Sequence, residues 1–474
     1  MISELAKYDA QKPNVLKTRD DSRPVSLVRK TAPESGEPIF SVAEHSSSSW
    51  AKSGAEIRPS QLRERIEPWL TALCQSEHLS ILLGSGLTQA VHRLATGEGC
   101  PGMAPGDFGA FADDVNTEAE RSARAAGRKD ANLEDQLRVA NELLRGYEIL
   151  GNRDPASQSR ADKLRSHIQK ALDDLADNVL RSERGIISAD PEQREAAFNY
   201  LVSFLMSFAS RTGTRDRLHI FTTNYDRLVE AGAEAAGLHL LGRFVGSIAP
   251  VFRSSRLDID LHYNPPGIRG EPRYLEGVAR FSKLHGSLDW ISSGRDIRRA
   301  ALPFGAESVS PYLDKNPPGN GIHRQMMIYP NAAKDRETAA YPYVELFRDL
   351  ASAACRPNHT LVTFGYGFGD EHINRVIEDM LTIPSTHLVA IAYGDPHGRI
   401  LEMYRRLGRH AQVSLLIGDH VGEFRCLVDN YLPKPAIDRT TIRMAELLKA
   451  RWSARQESSS EGEDGAVASS GVPV

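Results

Sequence analysis

The sequence predicts an α/β fold: a doubly wound parallel sheet carrying a large helical insertion. Three observations predict it. Short apolar runs (LSILL, LHIFTT, FSKLHG, TLVTFGY, HLVAIAY and VSLLI) alternate with segments of helical spacing, the order that βα units give a parallel sheet. Several of these runs pass directly into turns rich in glycine or amide side chains, as strands do where a sheet opens toward a ligand. Between about 107 and 211 the strand-like runs stop and helical patterns follow one another.

In chain order, residues 1–58 are rich in Ser, Pro and charge and end near the tract HSSSSWAKSG, so an extended or disordered leader is expected, one that could order against a partner. PSQLRERIEPWLTALCQ has helical spacing, and LSILLGSG reads as the first buried strand with its glycine turn. The insertion follows as DFGAFADDV, LEDQLRVANELLRGYEIL, ADKLRSHIQKALDDLADNVL and EAAFNYLVSFLMSFAS. Its apolar run YLVSFLMSF reads as a buried helix face, with a partner surface as the alternative. The remaining strands then alternate with helices such as DEHINRVIEDML and RILEMYRRL. One domain is expected over 59–450, and the tail 451–474, poor in large apolar residues, is expected to be disordered.

Composition narrows the function classes. A chain of 474 residues exceeds the size at which one core stops growing, so one large domain with an elaboration, or two domains, is expected. The net charge of −4 is spread over mixed acidic and basic residues, which supports neither a nucleic-acid surface nor a polybasic membrane anchor. The opening MISELAKYDAQKPN lacks the pattern of a signal peptide, and no run approaches ~20 apolar residues. A soluble, cytoplasmic protein without membrane contact is expected. The four cysteines, Cys74, Cys100, Cys355 and Cys426, form no C-x-x-C pair, so no metal is expected.

Four strand ends carry groups suited to chemistry. Gly84-Ser85-Gly86 permits close approach of a phosphate to a helix N-terminus, or serves as a plain strand-to-helix turn. In Phe221-Thr222-Thr223-Asn224-Tyr225-Asp226, Asn224 and Asp226 either meet a ligand beyond the strand or cap the next helix. Lys283-Leu284-His285-Gly286 places a histidine, a general base near working pH, after a strand. In Gly365-Tyr366-Gly367-Phe368-Gly369-Asp370, Asp370 can cap the following helix, while three alternating glycines let the backbone approach a flat or charged ligand. Together the four turns would line one crevice suited to a dinucleotide.

In this order, GSG, TTNYD, KLHG and GYGFGDEHIN resemble the sirtuin-like (Sir2-type) NAD-binding family, in particular its bacterial branch of NAD-hydrolysing antiphage effectors. IYPNAAKD with the helix YPYVELFRDLASAA is similar to what that branch places before its last glycine turn. The resemblance covers about Leu79 to Leu416 and implies a Rossmann-like domain with NAD as substrate. It implies that Gly84, Ser85 and Gly86 hold the phosphates, with Thr223 of TTNYD beside them. Asn224 would orient the ribose or the attacking water, Asp226 would contact the nicotinamide end, and His285 would be the base. Gly365, Phe368 and Asp370 would shape the adenosine side. It further implies NAD glycohydrolase activity in abortive infection, a homo-oligomer, and a separately encoded sensor or HerA-type ATPase as partner.

The chain departs from conventional deacylating sirtuins in lacking cysteine pairs for a zinc module, and GSGL is followed by TQAVHRLATGEGC rather than the family's nicotinamide loop. That leaves Thr88 and His92 without a role. A zinc-independent deacylase or ADP-ribosyltransferase, and a non-catalytic NAD or ADP-ribose sensor, stand as alternatives. Asp395 is a candidate contact to the adenosine ribose.

Overall fold

The computed structural model describes residues 14–18, 21–30, 37–44, 46, 48–52, 54–125, 130–211, 215–255, 260–263, 273–293, 296–309, 324–328 and 341–434. The chain divides into a compact unit over Met1–Leu432 and a second over Pro433–Val474, of which only 433 and 434 are described.

The strands are β1 (Asn14–Lys17), β2 (Val25–Lys30), β3 (Ile39–Val42), β4 (Glu56–Ile57), β5 (His78–Leu83), β6 (His219–Thr222), β7 (His239–Leu241), β8 (Phe244–Val245), β9 (Val251–Phe252), β10 (His262–Tyr263), β11 (Arg273–Tyr274), β12 (Val278–Lys283), β13 (Gly286–Ser293), β14 (Asp296–Arg299), β15 (Arg324–Ile328), β16 (His359–Phe364), β17 (His387–Ala392) and β18 (Val413–Ile417). Eleven of them form one sheet in the order β4-β3-β2-β1-β18-β17-β16-β5-β6-β12-β7. From β18 to β7 every pairing is parallel. HLSILL, HTLVTF and VSLLI are buried along nearly their whole length, the pattern of strands covered on both faces.

From β5 the chain builds outward through β6 and β12, then returns to lay β16 on the other side of β5. The strand order therefore reverses between β5 and β16, and ligands of open α/β sheets bind beside the carboxyl ends of such a pair.

The leader expected to be extended or disordered is ordered over much of its length. β1 pairs antiparallel with β18, and β2, β3 and β4 extend the sheet antiparallel beyond it. Leu16, Val25, Leu27 and Phe40 are buried there; short β-favouring runs between Ser- and Pro-rich pieces are enough to cover an edge strand. The tail 451–474 and IYPNAAKD from Tyr329 onward lie outside the described residues.

The helices are α1 (Pro59–Cys74), α2 (Ser85–Thr96), α3 (Ala112–Ala125), α4 (Leu133–Gly151), α5 (Pro155–Ile187), α6 (Pro191–Ala209), α7 (Leu228–Ala235), α8 (Tyr343–Ala354), α9 (Glu371–Met380) and α10 (Arg399–Leu407). Asn132 caps α4, and Asp154 caps α5 with proline at its start, the signals that begin helices. Helices α3 to α5 surround their own apolar cluster, which includes Phe108, Leu137, Leu164 and Leu175. Helix α6 instead sends Leu201, Phe204, Leu205 and Phe208 into the main core. The run YLVSFLMSF is thus a buried helix face and not a partner surface; burying each large side chain is worth about 1.5–3 kcal/mol.

A second sheet of five short strands, β15-β13-β14-β9-β8, takes β8 and β9 from before β12 and β13 to β15 from after it. Leu284 and His285 link the end of β12 to the start of β13, so the histidine sits where the chain leaves one sheet for the other.

Candidate active site

The two glycine turns at the switch point are packed against each other. Gly84 N–H donates to the Phe364 carbonyl at 3.0 Å and Gly86 N–H to the Gly365 carbonyl at 3.1 Å. A Cβ on Gly84 would stand 2.4 Å from the Gly365 oxygen, one on Gly86 2.5 Å from the Gly365 Cα, and Gly365 itself has φ +61°. These glycines are required by backbone contact whether or not a phosphate is present. Gly84 is the N-cap of α2, so the positive end of that helix lies at the opening beside the turn.

Beside this junction lies a cavity of about 350 Å³ bounded by Gly84, Ser85, Thr223, Asn224, Asp226, His285 and Asp370, within the range of small-molecule sites. Three residues expected at the ligand lie behind its wall. Gly86 and Gly365 hold each other, and Phe368 is buried with its ring 4.8 Å from that of Tyr366. Phe368 has φ +50°, and its carbonyl accepts from Asn374 Nδ2 at 3.0 Å. A large apolar ring flanked by glycines is drawn into the core, so it does not line the cavity.

Asn224 is fixed by a chain of bonds with one allowed polarity. Its Nδ2 donates to the Gly84 carbonyl at 3.0 Å and to Thr88 Oγ1 at 2.9 Å. Thr88 Oγ1 in turn donates to Asp226 Oδ2 at 2.6 Å. A carboxylate only accepts, so Thr88 must accept from Asn224, and Asn224 Oδ1 is left as the acceptor for a ligand. Asp226 Oδ1 accepts from Leu228 N–H at 3.0 Å, which makes it a helix cap as well as a wall of the cavity. The TTNYD turn therefore caps the next helix and lines the cavity at once. Thr88, unassigned from sequence, lies four residues after Gly84 on α2, a spacing that returns to the same helix face. His92 lies one further turn on, buried, with Nδ1 beside Thr96 Oγ1 at 3.3 Å, and does not line the cavity.

His285 Nε2 stands 2.7 Å from Asp370 Oδ2. The other oxygen of Asp370 accepts from His372 N–H at 3.2 Å and caps α9. The resemblance placed Asp370 on the adenosine side; in the fold its carboxylate touches the histidine. Asp395 accepts from the backbone of Ile400 and Leu401, so it caps α10 and does not line the cavity.

Several supports were not legible as site residues. Lys283 Nζ, buried beneath the turn, donates to the Asp226 carbonyl and to Glu230 Oε1 at 3.2 Å. Burial pushes the Glu230 carboxyl above its ordinary range. Arg227 pairs with Glu183 of α5 in a buried bidentate contact. Tyr225 donates to Glu134 Oε1 at 2.9 Å, and burial raises its phenol well above the ordinary value. Glu134, Leu175, Val179 and Ser182 of the insertion also line the cavity, as does Arg399 at the start of α10. Cys100 lines it too, and burial pushes that thiol up, away from the thiolate form that attacks. Among the described residues no group of three His, Cys, Asp or Glu side chains could hold a metal ion.

A doubly wound sheet with polar groups gathered at its switch point is a Rossmann-like arrangement. Residues 218–414, a little under half of the chain, match the family model of the SIR2-like domain, which supports a Sir2-type relationship for that part. That match runs from just before β6 into β18, and β5 with its GSG turn joins it through the sheet. No curated protein matches the chain. Among the described residues no helix is long and apolar enough to cross a membrane.

Proposed function

We propose that this protein hydrolyses NAD to nicotinamide and ADP-ribose. The observation that carries the reading is the convergence of Asn224, oriented through Thr88, and His285, held by Asp370, on one cavity at the switch point. Breaking the ribose–nicotinamide bond passes through an oxocarbenium-like state, as in glycoside hydrolysis. The pyridinium leaves with the bonding electron pair as neutral nicotinamide. Water oxygen bonds to the anomeric carbon, and its proton passes to a base, released afterwards to solvent. In this reading Asn224 Oδ1 positions the water or a ribose hydroxyl, and His285 accepts a proton from one of them.

The resemblance to antiphage effectors supports a role in abortive infection, with NAD depletion arresting the host cell. That insertion residues such as Glu134 and Ser182 line the cavity favours control of the site by a partner or an oligomer contact on the insertion. The test is chromatography of NAD, nicotinamide and ADP-ribose after incubation with the wild type, Asn224→Ala and His285→Ala, each with and without extract of phage-infected bacteria. NAD loss confined to the wild type is expected. Equal turnover by Asn224→Ala, or label appearing on protein instead of in free ADP-ribose, overturns the hydrolase reading.

A further inference from the structure

We propose that Asp370 is a positioning residue that fixes the tautomer of His285, so that Nε2 carries the proton and Nδ1 presents the lone pair that receives a proton during turnover. The inference rests on the hydrolase reading for the use of that lone pair, but its structural content stands apart from it.

The geometry gives Asp370 two contacts of different kinds, among others. One oxygen is committed to the His372 N–H at 3.2 Å and can only accept there. The other faces His285 Nε2 at 2.7 Å, and a carboxylate oxygen in that place requires Nε2 to be the donor. Both side chains are shielded, His285 being 11 % and Asp370 5 % exposed, so water does not compete freely for the contact. Among the described residues His285 Nδ1 makes no hydrogen bond. The positive end of α9 lies at Asp370 and favours its ionised form. The imidazole is thus held in ring orientation and tautomer by Asp370.

Asp370→Asn separates this role from a structural one. Asparagine is as good a helix cap as aspartate, and the cap position still demands an oxygen toward the His372 N–H. The amide NH2 must then face His285 Nε2, which can meet it only as an acceptor, and the ring proton moves to Nδ1. The experiment is two-bond ¹H–¹⁵N correlation on protein labelled with [¹⁵N]histidine at mildly alkaline pH, with the His285 signals identified by their loss in His285→Gln. The wild type is expected to show a neutral ring protonated at Nε2, and Asp370→Asn a ring protonated at Nδ1. In NAD turnover, kcat of Asp370→Asn is expected to fall about 10²- to 10⁴-fold, the worth of a positioned acid or base, with KM little changed. Asp370→Glu is expected to recover part of that loss and Asp370→Ser, which keeps a cap oxygen, none.

A wild-type ring protonated at Nδ1 or at both nitrogens overturns the proposal, as does an unchanged tautomer in Asp370→Asn. Absence of NAD cleavage by the wild type would sink the hydrolase reading and leave the tautomer to decide this one.

Discussion

Removing the carboxylate of Glu183 should unseat the TTNYD turn from a distance. Glu183 lies near the end of α5 and is 1 % exposed. Its carboxylate accepts from Arg227 N–H at 2.9 Å, Arg227 Nε at 3.2 Å, Arg227 Nη2, and Gly305 N–H at 3.0 Å. Arg227 directly follows Asp226, so this one carboxylate ties the insertion to the TTNYD turn and to the loop at Gly305. In Glu183→Ala the guanidinium keeps the Leu302 and Pro303 carbonyls but loses its ion-pair partner inside the protein. Breaking a buried pair by removing one member costs about 3–5 kcal/mol. At a urea slope of about 3 kcal/mol/M this lowers the unfolding midpoint by about 1–2 M. The assay is urea unfolding followed by tryptophan fluorescence for Glu183→Ala, Arg227→Met and the Glu183→Met/Arg227→Met double variant. The double variant should recover much of the loss, because two apolar side chains leave no charge stranded. A loss below about 1 kcal/mol in both single variants, the range of exposed pairs, would refute the claim that this contact anchors the turn.

Two other perturbations test the frame around the site. Gly86→Ala places a Cβ 2.5 Å from the Gly365 Cα, a backbone clash that no rotamer relieves. Thermal unfolding should show a destabilisation of more than the about 1–3 kcal/mol of ordinary overpacking; a normal melting temperature would contradict the interlocked turns. Burial holds His359 at about 3 and His387 and His420 at about 4, against an ordinary 6.5, and His219 well below that value. All four are neutral when folded and bind protons once unfolded below that ordinary value. Stability is therefore complete above about pH 6.5 and declines as pH falls toward about 4, by roughly 1.4 kcal/mol per histidine per pH unit. Urea midpoints that do not fall between about pH 6.5 and about pH 5 would show that these rings are not buried neutral.

Much of the site was legible because its residues follow strands in short, local patterns. A run such as HTLVTF, buried at every position, announces a central strand, and the glycines after it announce a turn. The β5-to-α2 and β6-to-α7 transitions were readable in the same way, and Asn224 and His285 fell where such turns point. Thr88 carried a readable signal in its helical spacing from Gly84, although nothing in the sequence named its partners. The leader misled because its short strands gain order as one run of pairings that β1 joins to β18, whose residues lie near the other end of the chain.

By itself, then, the sequence determined the α/β class, the strands and their polar turns, and the helical insertion, since hydrophobic periodicity and turn chemistry act over a few residues. Only the tertiary structure decided which turns meet. Asp370 reaches His285 across 85 residues, and Asn224 reaches Thr88 across 136. Those pairings follow from laying β6 and β16 on either side of β5, with β12 beyond β6, a choice made by the packing of the whole sheet, and no local periodicity encodes it.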